Sequence, residues 1–168
     1  DAWQNIYALA NTRLTIRGMR IEGQAELGLL GYNLGDYSLK GNARFEHKGI
    51  RVGAFINSSL TEPNYTERHF YSPAAIWNTA FDKVIVNELG GKAAYTLDKQ
   101  ELSADVKLST IGNAVYYSGI SDINQESDLV SLLASQIKYS YKGKVIGAEA
   151  TGIVQTTSNQ NVLPRPPL

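Results

Sequence analysis

The sequence predicts an all-β fold, an antiparallel up-and-down sheet of about eight strands, and three observations predict it. Long runs alternate between apolar and polar side chains at a period of two residues. The five prolines stay outside those runs, and tight turns between runs alternate with longer polar connections. Residues 1–168 therefore form one β-meander, with long loops near 61–80 and 112–128.

The first run, 6–17, sets Ala8, Ala10, Thr12, Leu14 and Ile16 against Leu9, Asn11, Arg13, Thr15 and Arg17. It reverses at Arg17-Gly18-Met19-Arg20, where glycine supplies a positive φ. Next, Ile21, Gly23, Ala25, Leu27 and Leu29 oppose Glu22, Gln24, Glu26, Gly28 and Leu30. A turn at 32–36 leads to Tyr37, Leu39, Gly41, Ala43 and Phe45 against Ser38, Lys40, Asn42, Arg44 and Glu46. The reversal His47-Lys48-Gly49 opens the fourth run, Ile50, Val52, Ala54 and Ile56 against Arg51, Gly53, Phe55 and Asn57.

The period stops over 61–80, a long loop carrying Tyr65, Arg68, His69, Phe70, Tyr71 and Trp77. Such an aromatic loop either folds into the interior, meets a partner protein or glycan, or packs on a rim through its own rings. Pairing resumes through Ile85, Leu89, Gly91, Ala93 and Tyr95, turns at Asp98-Lys99-Gln100, and continues with Leu102, Ala104, Val106 and Leu108 against Glu101, Ser103, Asp105 and Lys107. In the second loop, Ala114 to Tyr117 reads as a continuation of the strand before it. Leu133, Ser135, Ile137, Tyr139 and Tyr141 form the seventh run, Lys142-Gly143-Lys144 the turn, and Ile146, Ala148, Ala150, Gly152 and Val154 the eighth. The segment 162–168 reads as the start of a further strand.

In a meander, alternate connections lie at opposite ends, so the four tight turns fall at one end and the longer loops at the other. The turn near Asn33 is short for its side. Bacterial outer-membrane barrels have this asymmetry, short periplasmic turns opposite longer extracellular loops. Alternation alone does not say which face meets water, because a soluble lipocalin-like barrel has the same period with its apolar face inward. Strand length favours the membrane: runs of about 10 to 12 residues match the 9 to 11 of a tilted membrane strand.

On one apolar face Tyr37 and Phe45 lie about 26 Å apart, close to the height of a lipid-facing band. With Tyr95, Tyr139 and Tyr141 they are candidates for aromatic girdles. Tyrosine is also simply a good strand residue. The opposite face mixes signs, as a wet lumen, an internal ion-pair network or a solvated outer face would. Its candidate lumen-lining residues are Arg13, Arg17, Lys40, Arg44, Arg51, Asp105, Lys107, Lys138 and Glu149.

Composition removes several function classes. Sixteen basic and sixteen acidic residues give zero net charge, which argues against a nucleic-acid partner. Cysteine is absent, so disulfides and thiolate metal sites are excluded. No apolar run reaches the length of a membrane helix, a test blind to membrane strands. His47 and His69 have no metal-ligand spacing, and no serine sits in a nucleophile elbow. The glycines at 28, 31, 35 and 41 precede no helix, and the sequons at Asn57 and Asn64 read as chance matches. No cofactor, metal or enzymatic chemistry is expected.

The stretch Glu22-Gly23-Gln24-Ala25-Glu26-Leu27-Gly28, followed by 31–41 (GYNLGDYSLKG), resembles the putative porin family of Bacteroidota outer membranes. Trp77-Asn78-Thr79-Ala80-Phe81 with Leu89-Gly90-Gly91 is similar to that family's passage from loop to strand, and 162–168 to its Pro-rich approach to a later strand. The resemblance implies a transmembrane β-barrel of the bacterial outer membrane, with this chain a fragment of a larger barrel. The expected function is passive diffusion of small solutes, in contact with outer-membrane lipid and with other outer-membrane subunits as possible partners. The alternatives are a non-conducting barrel serving as scaffold or accessory subunit, and a soluble ligand-binding barrel.

Overall fold

The computed structural model describes residues 4–72, 76–118 and 122–159. Eight long strands form one antiparallel sheet: β1 (Ile6–Ile16), β2 (Met19–Leu30), β3 (Tyr37–His47), β4 (Ile50–Thr61), β7 (Val84–Leu97), β8 (Gln100–Gly112), β11 (Val130–Lys142) and β12 (Gly147–Thr157). Their order in the sheet is the order in the chain, so the fold is up-and-down. The four shorter strands, β5 (His69–Tyr71), β6 (Ile76–Asn78), β9 (Val115–Tyr117) and β10 (Ile123–Gln125), form two small hairpins outside it.

The long strands run 11 to 14 residues. At ~3.4 Å per residue and a tilt of ~40°, such lengths rise roughly 28–36 Å, the thickness of a bilayer core. The pairing keeps faces in phase from strand to strand. Ile21 pairs with Ala43, Ala43 with Ala54, and Glu22 with Asn42. A one-residue slip would turn every apolar side chain to the polar side.

The tight turns are set by backbone chemistry. Arg17 and Gly18 have φ of 45° and 84°, Lys48 and Gly49 have 45° and 80°; positive φ at both central positions is the twist-matched two-residue hairpin. Arg17 therefore lies in the turn and not on β1, so its side chain stands at the rim and leaves the wall to its neighbours. Arg20, which the spacing assigns to that turn, is a wall residue of β2.

Both long loops hold more structure than their lack of periodicity suggests. Residues 62–83 contain a one-turn helix, α1 (Tyr65–Arg68), and the β5/β6 hairpin. Ala114 to Tyr117 does not extend β8: Asn113 takes φ of 58°, and Val115–Tyr117 turns away to pair with Ile123–Gln125. The connection 31–36 is a folded six-residue loop, tied by Gly28 N–H to the Asp36 carbonyl at 2.7 Å and Gly35 N–H to the Gly28 carbonyl at 2.9 Å. The segment 162–168 lies outside the described residues.

Almost nothing is buried. Among the described residues the only buried apolar side chains are Ala114 and Val130, while Leu14, Leu39, Ile56, Leu89, Val106 and Ile137 lie exposed on one face. A sheet without an opposing layer does not bury a water-excluded core of its own. The outer edges of β1 and β12 have no partner strand among the described residues. The architecture is an open segment of an up-and-down barrel wall.

Candidate functional site: the charged face and its loop-side rim

Register assigns each predicted wall residue to a face. Arg13, Lys40, Arg44, Arg51, Asp105, Lys107, Lys138 and Glu149 all fall on one face, opposite the apolar one. They are joined there by Arg20, Glu22, Glu88 and Lys92. Sequence reading passed over Glu88 and Lys92 because glycines interrupt the period on β7; their register with Asn57 and Gly53 places them.

Ion pairs knit this face across the strands. Glu22 accepts from Arg13 Nε and from Arg20 Nε, both at 2.8 Å. Arg51 Nη2 reaches past β7, over the small Ala94, to Glu101 Oε2 at 2.6 Å. Glu88 collects three donors: Lys107 Nζ at 2.9 Å, Ser109 Oγ at 3.0 Å and Asn57 Nδ2 at 3.1 Å. Lys138 pairs diagonally with Glu149 across β11 and β12 at 2.8 Å. Hollows on this face measure about 740 Å³, lined by Arg13, Glu22, Lys40, Asn42 and Asn57, and about 500 Å³ around Gly53.

The five candidate girdle residues all lie on the apolar face. Phe45, Tyr95, Tyr139 and Tyr141 cluster at the tight-turn end, Phe45 stacked on His47 at 6.3 Å and Tyr139 donating to Gln100 Oε1 at 3.0 Å. Tyr37 stands at the loop end, its hydroxyl 3.4 Å from Ser58 Oγ. Such rings have an apolar body and a hydrogen-bonding tip.

At the loop end a second cluster has no sequence signature. Asp36, buried, accepts from Asn33 Nδ2 at 2.7 Å, from the Glu62 backbone N–H at 3.0 Å and from Lys83 Nζ at 2.6 Å. Lys83 also donates to the Leu34 carbonyl at 2.6 Å, and Arg68 pairs with Glu62 while its guanidinium lies 5.9 Å from the Tyr32 ring centre. Gln125 bridges to Asp82 and Asn113, so the three loops at this end are stitched to one another. Two aromatics of 61–80 serve the same packing: Phe70 stacks on Trp77 at 4.4 Å, and Trp77 meets Tyr117 edge-on at 6.2 Å, while Tyr71 lies exposed. His69 lies 4.8 Å from Tyr65 at this end, and His47 belongs to the opposite one.

Among the described residues no helix is long and apolar enough to cross a membrane, a statement that does not bear on strands. A family model described as "Putative porin" matches residues 2–168. No curated protein and no solved structure matches the chain.

Proposed function

The chain belongs to the putative porin family, and from that premise we propose that it forms part of the wall of a bacterial outer-membrane pore that passes small solutes by diffusion. The observation that carries this reading is the division of the sheet into an uncovered apolar face, with tyrosines near its ends, and an opposite face of interlinked charges. In hydrocarbon the first is solvated by lipid and the second encloses water. Register supports a lumen lined by Arg13, Lys40, Arg44, Arg51, Asp105, Lys107, Lys138 and Glu149, with Arg17 at the tight-turn mouth.

No chemistry is required of these residues; the pore acts through its width and field. Partners on this reading are lipid on the outside and further outer-membrane subunits.

The test compares Ile137→Cys with Lys138→Cys in the full-length protein in membranes, using a water-soluble maleimide. Neighbours in sequence, they occupy opposite faces, Ile137 being 61% exposed on the apolar one. Labelling at 138 alone is expected. Labelling at 137 with protection at 138 would reverse the faces and leave a water-soluble barrel, and protection at both would leave a plugged scaffold.

A further inference from the structure

We propose that the polar wall holds a binding notch for small oxyanions, carboxylates or phosphates, centred on Gly53 and flanked by Arg44 and Lys92. The register creates it. Arg20 pairs with Arg44, Arg44 with Gly53, Gly53 with Lys92, and Lys92 with Asp105, so four strands bring three cations and a gap to one level.

A side chain at Gly53 would meet only the Ala43 carbonyl oxygen, 3.3 Å from its Cβ position, within 4 Å. The space above that glycine is open on the polar face. Paired Cα atoms are ~5 Å apart, so Arg44 and Lys92 rise on either side of a gap roughly 10 Å across, wide enough for a hydrated oxyanion between two cationic tips.

Two of these cations are held in no ion-pair contact, although Asp105 is the register partner of Lys92. Arg20 is held by Glu22 and Arg51 by Glu101, whereas neither Arg44 nor Lys92 has a carboxylate within 4.0 Å among the described residues. Like charges at directly paired positions repel, and turning Arg20 to Glu22 leaves Arg44 as the uncompensated partner. Glu22, Glu101 and Asp105 border the same hollow of about 500 Å³, so the notch favours compact anions that fit between the cations and keep clear of those acids.

The proposal rests on the pore reading only for how the anion arrives. Its test uses the full-length protein and two readouts: the zero-current potential across a KCl gradient in planar bilayers, and calorimetric binding of inorganic phosphate and of citrate in detergent. The double variant Arg44→Gln/Lys92→Gln is compared with Lys144→Gln, an exposed cation in the distant turn between β11 and β12, after heat-modifiable gel mobility has shown both variants folded. Loss of two unit charges near a hydrated ion is expected to lower the anion-to-cation permeability ratio and weaken anion binding roughly three- to tenfold, with Lys144→Gln nearly silent. Binding of phosphate without citrate, or the reverse, decides which oxyanion the notch takes. Conductance with anion preference and binding unchanged in the double variant overturns the notch and leaves the pore standing. Binding lost in the double variant of a protein that does not conduct retains the notch and overturns diffusion.

Discussion

At Gly90 the absence of a side chain decides where an aromatic ring lies. Phe55, on the polar face of β4, covers its register partner Gly90, and a Cβ there would collide with the ring and fall 2.8 Å from the Val106 carbonyl oxygen. Covering a strand glycine with a cross-strand aromatic restores packing that the glycine lacks. It also gives the wall an apolar patch between the Glu88 network and the Gly53 notch. Gly90→Ala is expected to destabilise by about 1–3 kcal/mol through overpacking, read as a lower urea midpoint for the folded barrel in vesicles. The same change in a Phe55→Ala background should cost markedly less, because contacting residues couple. An equal cost in both backgrounds would sink this account of the ring.

At the scale of elements, the loops at one end behave as a single folded layer held by Asp36. Its carboxylate serves the Glu62 N–H and the Lys83 ammonium, and so ties the 31–36 loop to both ends of the 62–83 connection. Asp36→Ala leaves a backbone donor and an ammonium without their acceptor, a loss of about 2–4 kcal/mol of local stability. Tryptic cleavage after Arg68 in the full-length protein should then rise at least tenfold, while cleavage in the tight turns at Lys48 and Lys99 stays unchanged. Equal rates at Arg68 in both proteins would mean that Asp36 does not hold the layer. The contrast with the strands explains what the sequence revealed. Eight strands were legible because most repeat their period over four or five pairs, and the turn at Gly18 because a positive φ calls for glycine there. Asp36 was not, because its partners lie 26 and 47 positions away, and α1, β5 and β6 are too short to establish a period. Arg17 closes the first alternating run and opens the reversal in the sequence alike, and its φ of 45° puts it in the turn.

For the whole molecule, the decisive quantity is the solvent of the apolar face. Among the described residues the sheet has two unpaired edges and almost no buried core; open edges do not persist in hydrocarbon, so on the pore reading the wall needs a closed barrel. Charge placed on the apolar face should then cost according to depth. Leu89, 58% exposed, lies in the middle of β7, in register with Ile56 and Leu108; Tyr95, on the same face, lies two residues from the strand end. Leu89→Arg is expected to cost about 2–4 kcal/mol and Tyr95→Arg at most about 1 kcal/mol, the profile of a side chain moved from the bilayer midplane to its interface. Urea unfolding of the full-length barrel in phospholipid vesicles measures both. If the apolar face instead lines a ligand cavity in a water-soluble barrel, the two penalties follow local packing and are indifferent to vesicle thickness. If it faces lipid, the gap between them widens as the acyl chains lengthen. That dependence on chain length distinguishes a lipid solvent from a protein interior without requiring the pore to be open.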